Sequence, residues 1–318
     1  MATELVLLGT AGAPAPVAGR AGISSALIVD GRVFLIACGR GSPSAFADAG
    51  LDFSRLDAVL ITHPHADHIG DLPGMLIYPW GLRWGENGPL PPIRVYGPPR
   101  AKELPAGDPI FHRERTIHPE LPAPGITELV NDILAAYAYH LNVMPLDARM
   151  PDPGQLDRAF DVPRAARSEA GAQVPVTVLE DDTVRVTAVA VMHGRAVPAF
   201  AYRFDTPHGS VVFSGDTTVN EDLIALAQHA DILVHSVADL GYLGRHGFAG
   251  AALERMAALH TDVTQVGGVA ERGGVGELIL NPAEPDAVSE AERIRRARQG
   301  FGGKTTAGSD GLRRTLRA

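Results

Sequence analysis

A mixed α/β fold, rich in strands and long loops, is what the sequence predicts, and three observations predict it. Short apolar runs recur along the chain, most of them bounded by Gly, Pro or Asp-Gly. Stretches with helical spacing fall between them. Gly 35 and Pro 25 in 318 residues supply the turns that many strands need. The same composition sets bounds on function. A 45% hydrophobic content suffices for a substantial core, in one large domain or two small ones. A net charge of −9 argues against a nucleic-acid surface across the whole molecule, though not against a local basic patch. The lone Cys38 excludes an internal disulfide framework and fits a reducing compartment. There is no signal-peptide pattern, and no apolar run approaches the roughly 18 residues that span a membrane. A cytoplasmic protein without a membrane segment is expected.

The elements follow in order. Glu4 to Leu8 reads as a strand ending in the small-residue turn Gly9-Thr10-Ala11-Gly12. Ser24 to Asp30, Gly31-Arg32 and Val33 to Ile36 read as a hairpin with an Asp-Gly turn. Ser42 to Ala49 is a predicted helix, stopped by Gly50. Leu56 to Ile61 is a strand, and Gly70 to Tyr78 a short helix. Ile93 to Gly97 is a strand between proline pairs. Residues 100 to 125 and 145 to 175 are polar and Pro-rich, whereas Ile126 to Asn142 has helical spacing. Strands resume at Thr183 to Val191, Ala199 to Phe204 and Ser210 to Ser214. Glu221 to His229 is a helix, Asp231 to His235 a strand, Thr261 to Gly273 mostly helix and Glu277 to Leu280 a strand. A charged helix, Ala287 to Gln299, and a short tail complete the chain.

The chemistry concentrates at Thr62-His63-Pro64-His65-Ala66-Asp67-His68-Ile69. Three imidazoles and a carboxylate fall within six positions at the end of an apolar strand. Such density suits a borderline-soft divalent metal, which takes imidazole nitrogen and carboxylate oxygen. Two further strands end in a candidate ligand, at His193 and at Asp216. His63, His65 and His193 make a three-histidine site. Asp67, His68 and Asp216 make a second, with Asp216 able to bridge. Two divalent ions roughly 3.5–4 Å apart can activate a water and hold a developing oxyanion.

In these motifs the sequence resembles the metallo-β-lactamase superfamily, in the branch of ribonuclease Z-like and arylsulfatase-like hydrolases. The resemblance is carried by Leu8-Gly9-Thr10, Cys38-Gly39-Arg40-Gly41, Thr62 to His68, His193, Ser214-Gly215-Asp216-Thr217 and His260-Thr261, in the family's order. It implies a four-layer αββα sandwich with a zinc site between the sheet edges. On this reading residues 1–318 form a single domain, with a cleft-covering helical insertion at about 80–180. By position, His63, His65 and His193 resemble ligands of a first metal. Asp67 and His68 resemble ligands of a second, and Asp216 the bridging carboxylate. Asp67 is also placed to handle the proton of the attacking water. His235 and His260 resemble histidines that lie near the substrate.

Three positions depart from the family pattern. Ala37 stands where an Asp usually buttresses the metal loop. Ser236 follows His235 in place of a glutamate. The last strand runs Leu278-Ile279-Leu280-Asn281-Pro282, without the histidine that completes the second metal site. One firmly held Zn2+ is therefore expected, with a second weaker or absent and activity reduced.

The expected function is zinc-dependent hydrolysis of a small-molecule ester, phosphodiester, sulfate ester, lactone or activated aryl halide. Tyr78, Trp80, Trp84 and Tyr96 are candidates to line its pocket. One alternative is a ribonuclease Z-type nuclease for transfer-RNA precursors, drawing on Arg94, Arg100, Lys102, Arg113 and Arg115. Another is a catalytically degenerate metal- or ligand-binding relative. The apolar helix from Ile126 to Leu141 could pack in a homodimer or over the cleft.

Overall fold

The computed structural model describes residues 2–12, 15–85, 88–101, 116–169, 171–282 and 288–317. The first half of the chain builds one sheet. Its strands are β1 (Thr3–Gly9), β2 (Ser24–Val29), β3 (Arg32–Ile36), β4 (Leu56–Leu60), β7 (Ile93–Gly97) and β8 (Asp157–Asp161). Between them lie α1 (Ser42–Asp48), α2 (Ala66–Ile69), α3 (Leu72–Ile77), the small hairpin β5 (Trp84–Gly85) and β6 (Gly88–Pro89), α4 (Ile126–Ala136) and α5 (Ala138–Asp147). The second half builds β9 (Val176–Glu180), β10 (Arg185–His193), β11 (Ala196–Thr206), β12 (Gly209–Phe213), β13 (Ile232–Val237) and β14 (Glu277–Pro282). Its helices are α6 (Glu221–Leu226), α7 (Leu240–Arg245), α8 (Ala251–Ala257), α9 (Val266–Arg272) and α10 (Glu290–Ala297). Two late strands, β15 (Lys304–Ala307) and β16 (Arg313–Leu316), then part company. β16 joins the first sheet and β15 the second.

The sheet orders are β16-β1-β2-β3-β4-β7-β8 and β15-β14-β13-β12-β11-β10-β9. In each, one half is antiparallel and the other parallel. Both faces of the inner strands are buried, so their runs are continuously apolar rather than alternating. In β1, Leu5 and Leu7 face the other sheet while Val6 and Leu8 face helices. The central layer joins Leu27, Phe34 and Leu60 to Phe200, Tyr202, Phe204 and Ile279. Outside the first sheet, Val59 and Ile61 pack with Phe46, Met75, Trp80 and Val130 of the helical layer. Outside the second, Val212, Leu233 and Leu278 pack with Leu223, Val266 and Ala297. Helix, sheet, sheet and helix are the expected αββα layers. Among the described residues no helix is long and apolar enough to cross a membrane.

The Asp30-Gly31 turn is as expected, with φ of 49° and 84° at its two residues. Several elements differ from expectation. The helix expected over Ile126 to Asn142 breaks at Tyr137 into α4 and α5, which lets Val130 and Leu141 both reach the outer core of the first sheet. The polar stretch at 145–175 contributes β8, an edge strand whose residues stay largely exposed and so lack an apolar signature. The short tail is two strands. Thr261 to Gln265 is turn rather than helix, and α9 starts only at Val266. The last charged helix spans Glu290–Ala297, with Ser289 accepting from the amide of Glu292.

Candidate metal centre

The histidine run leaves β4 under constraint from both sheets. Ile61 donates its amide to Tyr96 O at 2.8 Å, and its carbonyl accepts from Tyr202 Oη at 2.8 Å. Thr62 O accepts from the Phe200 amide at 2.9 Å. The strand path is thus fixed up to His63, which is fully buried. His65 is extended, and the single turn of α2 brings Asp67 and His68 back toward the strand end. A second loop backs that turn. Cys38 N donates to His68 O at 2.6 Å, and Gly39 N donates to Ile23 O at 2.9 Å. A Cβ on Gly39 would lie 2.3 Å from Asp67 O, so only glycine fits there.

The second sheet brings its residues one strand end at a time. His193 ends β10, Asp216 follows β12 after Gly215 at φ 59°, His235 lies in β13, and His260 follows α8. His193 Nδ1–H donates to Leu259 O at 2.8 Å, which leaves its Nε2 lone pair for the site. That Nε2 is 3.1 Å from His65 Nδ1.

Among the described residues three ligand triplets result: His63, His65 and His193; His63, His68 and Asp216; and His193, Asp216 and His260. Within each triplet the donor atoms lie within 4.8 Å of one another. Asp216 Oδ2 is the hub. It lies 3.6 Å from His68 Nε2, 3.9 Å from His193 Nε2 and 3.8 Å from His260 Nδ1. Asp67 sits at the margin, with Oδ2 3.8 Å from His68 Nε2, and belongs to none of the triplets.

The electrostatics suit a cation. Burial holds His63 well below the ordinary imidazole pKa, and burial lowers His65 and His260 as well. Burial opposes charge on His68, yet the Asp216 carboxylate outweighs it and raises that pKa. Burial likewise opposes charge on Asp216, but the facing imidazoles, His68 foremost, hold it well below the usual carboxylate range. His63 Nε2, His68 Nε2 and His260 Nδ1 are buried without a hydrogen-bond partner. Orphaned buried nitrogens are costly, and a divalent ion among them supplies the missing partner. The donor set of imidazole nitrogen and carboxylate oxygen fits zinc.

A small cavity of about 30 Å³ lies beside the cluster. Its wall includes Ala37, Ser236 and Asn281, the three positions that depart from the family pattern, together with Thr62, His68 and Asp216. Volume of this order holds about one water. The small side chains of Ala37 and Ser236 thus border open space next to the centre, with Ile23, Ile36, Phe213 and Val234 also in its wall. Sequence reading found the departures but not that they share one wall.

The remaining predicted residues are dispersed. His235 is fully buried, with Nδ1–H donating to Ser236 O at 2.6 Å and a pKa pushed down to about 4 by burial. The four aromatics do not form one pocket. Trp80 packs into the outer core of the first sheet, Tyr96 stacks on Phe160, Tyr78 is 70% exposed, and Trp84 lies under Arg149. Of the basic residues, Arg94 pairs with Asp57 and Arg100 with Glu128, each at 2.5 Å. Lys102, Arg113 and Arg115 lie outside the described residues.

Known proteins share this frame. The family described as Anti-Pycsar protein Apyc1 matches residues 3–79. Ribonuclease Z of Mycobacterium marinum is 30% identical over 309 residues, covering 96% of this chain and 96% of the relative. Human tRNase Z, short form, superposes with a TM-score of 0.64 at 17% identity, covering 99% of this chain and 100% of that one. Zn(2+)-bound PqqB from Methylobacterium extorquens gives a TM-score of 0.57 at 16% identity, covering 98% and 100%.

Proposed function

The chain belongs to the metallo-β-lactamase superfamily, in its ribonuclease Z-like branch, and from that premise we propose that it hydrolyses a phosphodiester bond in a small molecule with the help of zinc. That it is a metal-dependent hydrolase follows from the family. The phosphodiester is the bond that a ribonuclease cuts, which favours it over the other esters, lactones and aryl halides. The observation that carries the reading is the hub at Asp216 Oδ2, within 4 Å of imidazole nitrogens from three separate elements.

His63, His65 and His193 would hold the first metal position. His68, Asp216 and Asp67 would contribute to a second, weaker one. Zinc bound there would supply a Lewis acid and lower the pKa of a water. Asp67, with 16% of its side chain exposed, would be the carboxylate to accept a proton at the site. Thr62 Oγ1, 3.1 Å from His63 Nδ1, and Leu259 O, on His193 Nδ1, keep the rings in place. A small substrate is preferred to transfer RNA on charge. The chain carries −9, and Arg94 and Arg100 are already spent on Asp57 and Glu128.

The test is a hydrolysis screen with chromogenic phosphodiester, sulfate ester, lactone and carboxylic ester substrates, with and without zinc, alongside a transfer-RNA precursor. Zinc-dependent phosphodiester turnover, abolished by His65→Ala, is the expected result. Turnover of none of the small substrates would sink the proposal. Cleavage of the precursor with salt-sensitive binding would move the substrate to RNA.

A further inference from the structure

A cavity of about 340 Å³ opens between the loop after β1 and the start of α10. Volume of this order takes a small molecule. Arg20, Ser289, Glu290, Arg293, Gly308 and Ser309 line it. Both of its walls run on into the metal centre. Arg20 stands three residues before Ile23, and three residues of extended chain span at most roughly 11 Å. Ile23 lines the small cavity beside His68 and Asp216. On the other wall Gly308 N donates to Leu280 O at 2.8 Å, and Asn281, the next residue, also lines that small cavity. The two cavities are therefore neighbours at one end of the sandwich.

The lining of the larger cavity suits an anion. A guanidinium is a planar fork of N–H donors that matches phosphate oxygens, and two of them meet here. Arg293 is buried, with Nη2 donating to Val288 O at 3.4 Å, so its fork is fixed by packing. Arg20 donates to Thr10 Oγ1, and its Nε lies 3.4 Å from Asp310 Oδ1. That ion pair is loose, because Asp310 already accepts from Thr10 N at 2.9 Å, Thr10 Oγ1 at 2.7 Å and Ala21 N at 2.8 Å. The hydroxyls of Ser289 and Ser309 add donors of the kind that phosphate oxygens accept. Glu290 opposes an anion, but it is exposed and can turn its carboxylate into water. A chain of net charge −9 does not draw an anionic substrate in from a distance, so recognition rests on local donors such as these.

We propose that this cavity binds a second phosphate of the substrate, so that the preferred substrate is a phosphodiester carrying a further phosphate group near the scissile bond. The inference rests on the phosphodiester reading above and narrows its substrate class.

The test compares thymidine 3′,5′-bisphosphate with thymidine 5′-phosphate in calorimetric titrations of the zinc-loaded protein. Alongside, the p-nitrophenyl ester of thymidine 5′-phosphate is assayed for hydrolysis with and without a 3′-phosphate. In the wild type the added phosphate should tighten binding by about tenfold or more and raise kcat/KM in step. Arg20→Gln and Arg293→Gln should shrink that preference to about twofold or less. Glu290→Gln, at an exposed position, should enlarge it by about twofold to threefold, and it decides the matter should the arginine variants fail to fold. Equal affinity of the wild type for the two nucleotides, or a preference untouched in the folded variants, would overturn the phosphate site. Hydrolysis of both esters at equal kcat/KM would sink the site and leave the hydrolase reading intact. A bisphosphate preference with neither ester cleaved would keep the site and overturn that reading.

Discussion

On the first sheet a single strand end, Thr62 to His68, delivers three imidazoles and a carboxylate. On the second, His193, Asp216 and His260 each arrive from a separate strand end or loop. The first half needs only one chain path to be correct, and the loop at Cys38-Gly39 supports it from behind. The second half needs β10, β12 and the segment after α8 in mutual register before its donors meet. The two halves converge on Asp216 Oδ2, which makes the dispersed half, rather than the dense one, the point on which the proposed metal positions depend.

That contrast can be broken most directly at the hub. Asp216→Asn should weaken every bound ion, by about 100-fold or more, whereas His65→Ala should affect chiefly the first. Calorimetric zinc titration of both variants compares them, and equal losses would remove the special status of Asp216. Next come the glycines that let each half approach the other. Gly39→Ala places a Cβ against Asp67 O and should cost about 3 kcal/mol, with part of the loss visible in metal affinity. Gly215→Ala imposes a side chain at φ 59° within 3.0 Å of Thr62 Cβ and should cost about 2 kcal/mol. Urea unfolding measures both, and two silent variants would show that the junction yields easily. Tyr202→Phe strips the Ile61 carbonyl of its cross-sheet donor and should lower stability by about 1–2 kcal/mol in the same assay. The smallest effect is a gain. Ala37 holds φ 58°, so Ala37→Gly should stabilise by about 0.5 kcal/mol, relief of the left-handed strain slightly exceeding the entropy that glycine adds. A loss there would mean that the Ala37 methyl contributes more as cavity wall than its backbone costs.

The same contrast explains what could be read from the chain. The strands were legible because doubly buried runs such as Leu5 to Leu8 and Ala58 to Ile61 are continuously apolar, whereas the αββα layering came with the family resemblance. The run at 63–68 was legible because its ligands are contiguous. His193 and Asp216 could be found because each stands at a strand end beside a glycine. Edge strands were not legible. β8 reads Asp-Arg-Ala-Phe-Asp with little burial, and β15 and β16 carry as much charge as a tail. The four aromatics misled because nearness in sequence says nothing about which side of a sheet each will face. His260 carried no local signal beyond its threonine neighbour. Its orphaned nitrogen emerges only when α8 is laid beside β10 and β12.

The placement of β15 and β16 has a consequence in time. β1 pairs with β16, Thr3 opposite Leu316, and the Asp310 carboxylate accepts from Thr10 N across 300 residues of sequence. β14 finds its outer neighbour only at Lys304 to Ala307. Contacts of such separation form late and make folding slow. On an emerging chain the β1 edge stays open throughout synthesis of the second sheet, and the early histidines await partners far downstream, His65 and His193 being 128 positions apart. Assembly of the metal centre is therefore a closing event of folding, and the nascent chain passes through a long interval in which an apolar strand edge is exposed to association with other chains.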